Sequence, residues 1–182
     1  MPQQPSSNPA MANPGMTPGT AATPDQIGDQ SFVAKEMDAG QGQVQLGQLA
    51  QQKSQSNDVK QFAQRMISMN TQMQEKWFKP EAKQLGVSEP KSPDKKDKKL
   101  IAKLETLSGP QFDAEYIQAV DKEQKANLKE FQQEAQATQN PNVKQIATQG
   151  ATVTTQHLQL LEQIAKNHNV DLSANGKEVS SK

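Results

Sequence analysis

The chain has no cysteine. That excludes a disulfide framework, a thiol nucleophile and a zinc–thiolate site, and it leaves the compartment open. No apolar run approaches the roughly 20 residues that a bilayer-spanning helix needs. Aromatic residues make up only 4% of the 182 residues, so a core has to be built from aliphatic side chains and methionine. The formal net charge is zero, which gives no global pull toward nucleic acid or membrane. There are two histidines, His157 and His168, and there is no Walker loop, GxGxxG turn or Glu-x-x-His pair. What is plentiful is Ala, Gln, Lys, Glu and Leu, without the alternation of a half-buried strand. That composition predicts an all-α protein.

Three segments follow from composition. Residues 1–28 are rich in Pro, Gln, Ser, Asn and Gly and are expected to form a disordered tether. They lack the apolar core of a signal peptide. Either the protein stays in the cytoplasm, or an export signal has been removed and the polar tether follows it. The second reading, export to the periplasm or cell envelope, fits the tether better. Residues 29–168 are expected to form one domain, and residues 169–182 a disordered tail.

Within the domain, apolar residues recur at steps of three and four. Val59, Phe62, Ala63, Met66, Ile67, Met73 and Trp77 define one helix face. A preceding helix is expected to start at Asp29 or Ser31, with Val33, Met37, Val44, Leu46, Leu49 and Ala50 on its apolar face. Its Gly40 and Gly47 are one heptad apart, which points to close approach by a neighbouring helix. The second helix starts at Ser56 or Asn57 and ends before Gly86. A third, opened by a Ser108–Gln111 capping box with Pro110, carries Phe112, Tyr116, Val120, Leu128, Phe131 and Ala135. A fourth starts at Asn140–Pro141 and carries Val143, Ile146, Ala147, Gly150, Val153, His157, Leu161 and Ile164. Between the second and third, Lys91, Lys95, Lys96, Lys98 and Lys99 form a basic cluster broken by Asp94 and Asp97. It reads as a solvated face ahead of a short helix over 95–107. No aromatic residues interleave with the lysines, which argues against nucleic acid. The short connections predict an up-down-up-down four-helix bundle, with the short helix covering one end.

Polar residues interrupt each stripe near its middle: Gln43, Asn70, Gln124 and His157. Midpoints of antiparallel helices fall at similar heights, so the four are expected to share one core layer. A buried amide or imidazole without a partner costs about 1 to 3 kcal/mol, and mutual hydrogen bonding relieves that. Such a layer also fixes helix register. Glu36 and Glu123 are expected to face solvent. They and His157 are the weak candidates for a metal site. One imidazole with amides is a poor donor set for Zn or Fe. No catalytic constellation and no cofactor site is read from the residues.

Phe32-Val33, Ala39-Gly40, Val44-x-Leu46-Gly47-x-Leu49-Ala50 and Val59-Lys60-x-Phe62-Ala63-x-Arg65-Met66-Ile67 resemble the first half of the bacterial domain-of-unknown-function 4142 family. Leu107-Ser108-Gly109, Phe112-Asp113-x-x-Tyr116 and His157-Leu158 resemble its second half. The resemblance covers about residues 30–167. It implies a ferritin-like fold, export, and a function not assigned. It also implies departures. Where the family shows Asp-His, this chain has Met69-Asn70 and Glu123-Gln124, and Gln43 stands where Glu is frequent. Ligands of a metal-binding ancestor would then have become amides, with only His157 kept.

Two functional readings follow. The first is a non-enzymatic exported bundle with a structural or interaction role, its partner a second copy or another protein. Ile117, Leu158 and Leu160 are then expected on an outer face. The second is a metal-binding or oxidative-stress protein using His157 with Glu36 or Glu123. A weaker third places the lysine cluster on an anionic surface.

Overall fold

The computed structural model describes residues 22–173. Thr23 caps α1 (Pro24–Lys53): its hydroxyl accepts from Gln26 N at 3.3 Å, and Gln26 Oε1 accepts from Thr23 N at 2.9 Å. Pro24 occupies the first turn, where no intrahelical donor is needed. This box starts the helix ahead of the expected Asp29 or Ser31, so residues 24–28 are helical rather than disordered. The rest of the expected tether, 1–21, and most of the expected tail, 174–182, lie outside the described residues.

A three-residue break leads to α2 (Asn57–Met73), a π-helical turn (Gln74–Phe78) and α3 (Lys79–Leu85). Pro80 explains the π turn. Proline has no N–H to give and its ring crowds the carbonyl four residues back, here Lys76. The chain widens ahead of it, and Lys79 N bonds to Gln74 O. The wider turn shifts the core face by one position. After Met73 the next buried aromatic is Phe78, while Trp77, expected in the core, is only half-buried. Gly86, at φ 70°, ends α3, with Val87 N bonding Ala82 O at 2.8 Å.

Then come α4 (Lys95–Glu105), α5 (Gly109–Ala137) and α6 (Pro141–Asn167). Asn140 caps α6 as expected, accepting from Asn142 N and Val143 N. The Ser108–Gln111 box does not form; Gly109, at φ 57°, makes the entry to α5.

Contacts at the two ends set the helix directions. At the lower end Thr138 Oγ1 donates to Asp29 Oδ1 at 2.6 Å, Asn140 Nδ2 to Glu81 Oε1 at 2.9 Å, and Gln30 Nε2 to Leu85 O at 2.8 Å. At the upper end Lys53 Nζ donates to Glu105 O at 2.6 Å, and His168 Nε2 lies 3.0 Å from Asp58 Oδ1. So α1 and α6 ascend while α2–α3 and α5 descend. The four-helix bundle and the extra helix are as expected, but the order is up-down-down-up rather than up-down-up-down. Residues 86–108 climb back along a bundle about 43 Å long, at 1.5 Å per residue. Gln41 Nε2 holds Pro90 O at 2.6 Å on the way, and Leu104 reaches the upper core. The short helix therefore lies along the flank of α1 and α5 instead of covering an end.

The apolar core is in two parts. The upper cluster joins Leu46, Val59, Phe62, Met66, Leu104, Phe112, Tyr116, Val120 and Leu161 among others. The lower joins Phe32, Val33, Met37, Met73, Phe78, Phe131, Val143 and Ile146 with small neighbours. Ile117 is 1% exposed and belongs to the upper cluster, contrary to the expected outward position; Leu158 and Leu160 are half-buried. Among the described residues Ile27 is the large apolar side chain that is exposed. The lysines over 91–99 are exposed as expected, but Asp97 between them is buried.

The expected close approach occurs at Gly47, where a Cβ would lie 2.7 Å from Ile67 Cγ1 and 3.1 Å from Ala63 O. Gly47→Ala is expected to destabilise by about 1–3 kcal/mol, because the α2 backbone must move. Gly28→Ala, with nothing within 4 Å of its new methyl, is expected to stabilise by about 0.5–1 kcal/mol. Urea midpoints of the two variants, read by circular dichroism, should move in opposite directions.

Candidate functional site

The two apolar clusters are parted by amides. Gln43 Oε1 accepts from Asn70 Nδ2 at 3.1 Å and from Gln124 Nε2 at 2.9 Å, joining α1, α2 and α5. Asn70 Nδ2 also reaches Met66 O at 2.9 Å. Gln43 and Gln124 are buried. Asn70 is half-buried beside them. On α6 the interval between the clusters holds Gly150, Thr154 and His157.

His157 does not join the amides by any hydrogen bond. Its ring stands edge-on to Phe62 at 5.8 Å, beside Arg65, and its buried Nε2 has no partner. Burial, with help from the Arg65 charge, lowers its pKa to about 4, so the imidazole is neutral at neutral pH.

The carboxylates depart most from expectation. Glu36 and Glu123 are 4% and 7% exposed, not solvent-facing. Burial, then the neighbouring Glu130 carboxylate, raises the Glu36 pKa to about 8; Lys35 Nζ holds Glu130 at 2.7 Å, and Glu36 Oε1 is buried without a partner. Burial, then the Asp97 carboxylate beside it, raises Glu123 to about 7; Lys96 Nζ stands 3.7 Å from Glu123 Oε1, which is buried and makes no hydrogen bond. Asp97 sits in a notch on α1: a Cβ on Gly42 would collide with its carboxylate. Burial, then a hydrogen bond to Asp29, raises Glu134 to about 7 in the same way. The three pairs run along one seam of α1, α4 and α5. The α1 members, Asp29 and Glu36, precede Gln43 at heptad spacing, so the seam continues into the amide layer. Asp38, Asp94, Asp97, Glu123 and Glu130, with Lys35 and Lys96, line a cleft of about 280 Å³ beside it.

The seam was missed because its residues are charged. The available signal was position: 29, 36 and 43 fall on the same face as Val33 and Met37.

The arrangement does not converge on chemistry. Glu36 faces Glu130, Glu123 faces Asp97 and Lys96, and His157 faces Phe62 and Arg65, so the weak metal candidates are not brought together. Among the described residues no three His, Asp or Glu side chains are placed to hold a metal ion. At the upper end Ser56 Oγ and Asp58 Oδ1 lie 3.2 and 3.0 Å from His168. Both face the same nitrogen, Nε2, so the trio cannot relay a proton as a Ser-His-Asp triad does through two nitrogens. His168 is thereby a helix-end contact rather than part of a frayed turn.

Gln43→Leu should destabilise by about 1–3 kcal/mol, since Gln124 Nε2 loses its buried acceptor. Denaturant unfolding checks this. A raised folded-state pKa means that the native protein binds more protons than the unfolded chain above about pH 4.5. The stability from Glu36 is therefore full below that pH and lost as pH rises through about 8. Thermal stability is expected to fall from pH 5 to pH 8.5, with a slope of about 1 kcal/mol per pH unit from this one group. In Glu36→Gln, whose amide does not titrate, the slope should flatten.

The family described as Domain of unknown function (DUF4142) matches residues 14–164. A comparison with curated proteins gives no match. Among solved structures the chain is similar to the crystal structure of a DUF305 fragment from Deinococcus radiodurans, with TM-score 0.69 and 14% identity over 80% of this chain and 98% of that one. At that identity the likeness shows the helical fold alone.

Proposed function

This chain belongs to the DUF4142 family, and from that premise we propose that it is a non-enzymatic, exported bundle protein with a structural or interaction role in the periplasm or cell envelope. The observation that carries the proposal is the amide layer. The mid-core positions, where a helical bundle would gather metal ligands or acid–base groups, hold Gln43, Asn70 and Gln124 bonded to one another. Nearby carboxyl groups are paired among themselves and stitch α4 to α1 and α5. The long crossover between α3 and α5 is the connectivity that ferritin-like bundles use, which supports a ferritin-like ancestry. The Pro- and Gln-rich composition of residues 1–21 supports export behind a tether.

Of the three residues expected on an apolar outer face, Ile117 is buried, while Leu158 and Leu160 are half-buried and Leu160 lines a cleft with Phe62 and Ile164. Fractionation of cells producing the protein from its own gene tests the location: recovery with periplasmic or envelope markers is expected, and recovery with cytoplasmic markers would overturn export.

A further inference from the structure

We propose that the groove between the π turn, α3 and α6 at the lower end of the bundle binds a neutral saccharide, with Trp77 as the surface on which a sugar ring stacks. The site is independent of the amide layer and of where the protein resides.

The groove measures about 230 Å³, and its walls include Trp77, Pro80, Glu81, Asn142, Gln145 and Gln149. That is smaller than the pockets that take drug-sized ligands, about 300–1,000 Å³, and suits one ring at a time. Trp77 is the single tryptophan of the chain. The π turn brings Phe78 fully into the core and leaves Trp77 half-buried, packed against the lower apolar cluster and lining the groove. π turns inside α-helices occur frequently at functional sites. An indole offers a flat apolar face for the C–H face of a sugar and an N–H at its edge.

The polar lining suits hydroxyl groups. Side-chain amides of Gln84, Asn142, Gln145 and Gln149 line the groove, and no hydrogen bond within the described residues occupies them. Each amide offers both a donor and an acceptor, as a hydroxyl does. Glu81 is buried at the wall, with Oε1 held by Asn140 Nδ2 at 2.9 Å. The charged side chains at the groove are Lys76 and the buried Glu81, one of each sign. Residues 145–161 of α6 contain no Asp, Glu, Lys or Arg. Gln145 and Gln149 are exposed on the groove side of α6, while Thr148, Thr152, Thr155, Gln156 and Gln159 line the separate groove between α5 and α6. The α6 wall of the Trp77 groove therefore offers hydrogen-bonding amides without charge from Gln145 upward. The groove between α5 and α6, lined by Gln132, Gln136, Thr152 and Gln156 among others, has no aromatic wall.

The test uses the full chain and its own fluorophore. Cellotriose and triacetylchitotriose are titrated while Trp77 emission is recorded. A saturable change is expected, with a dissociation constant of about 1 mM. Saturation-transfer NMR on the sugar protons gives a readout that does not need the indole. By that readout, Trp77→Phe and the double variant Gln145→Ala/Gln149→Ala should each bind at least tenfold more weakly, with circular dichroism showing both folded. Co-sedimentation with insoluble cell-wall glycan, competed by the trisaccharide, would place the sugar in a polymer; binding of the trisaccharide alone would place it free in solution. Neither sugar changing the emission or receiving saturation up to about 10 mM would overturn the proposal. Unchanged binding in the double variant would also overturn it, as would a response to a peptide of residues 1–21 in place of sugar.

Discussion

Gln43 Oε1 accepts two amide donors from two other helices, and the order of the core follows from that contact. Apolar contacts are non-directional, so an aliphatic bundle could slide by a turn at little loss. A buried acceptor with two donors cannot slide without orphaning both. The layer therefore fixes the register of α1 against α2 and α5, and the apolar residues sort into one cluster above and one below. Gly47 supports the same register by bringing the α2 backbone onto α1, where a larger residue would collide with Ala63 O.

The carboxyl seam does at the flank what the amides do on the axis. A crossover that climbs the bundle lies outside the core and needs its own anchor. Leu104 supplies an apolar one at the top. Asp97, fitted against Gly42 and facing Glu123, supplies a polar one at mid-height. Two ionised carboxylates side by side in a buried site repel, so burial and the neighbouring carboxylate raise the pKa of Glu36 and Glu123 and favour a proton at each pair. The coupling of α4 to pH is thus a consequence of its route.

How far the sequence revealed this depended on what kind of signal each residue carried. Period-3.6 stripes located all four long helices, Gly86 and Asn140 marked ends, and three of the four polar interruptions met in one layer. The direction of α5 was not legible, because a connection over 86–108 is long enough either to loop at one end or to climb. The contacts of Gln41 and Leu104 decide that, and neither residue's type announces it. Glu36, Glu123 and Asp97 carry no local sign of burial, because a single charge on a helix usually faces water. Their burial depends on a partner from another helix, which local pattern does not show. Trp77 was displaced by a π turn whose cause, Pro80, is visible in the sequence, though its effect on register is not. His157 lay on the expected face, but the side chain packs against Phe62 rather than reaching the amides.

The most direct test of a structural, metal-independent layer is the thermal unfolding of metal-free protein alone and with Fe, Mn, Zn or Cu. A ligand present at 100 times its dissociation constant adds about 2.7 kcal/mol to the stability of the folded state. If the amides are a closed hydrogen-bonded partition, the midpoint stays the same with every metal, and His157→Ala behaves like the parent in this respect. A rise with one metal that disappears in His157→Ala would contradict it and make the mid-core layer the support of a metal site.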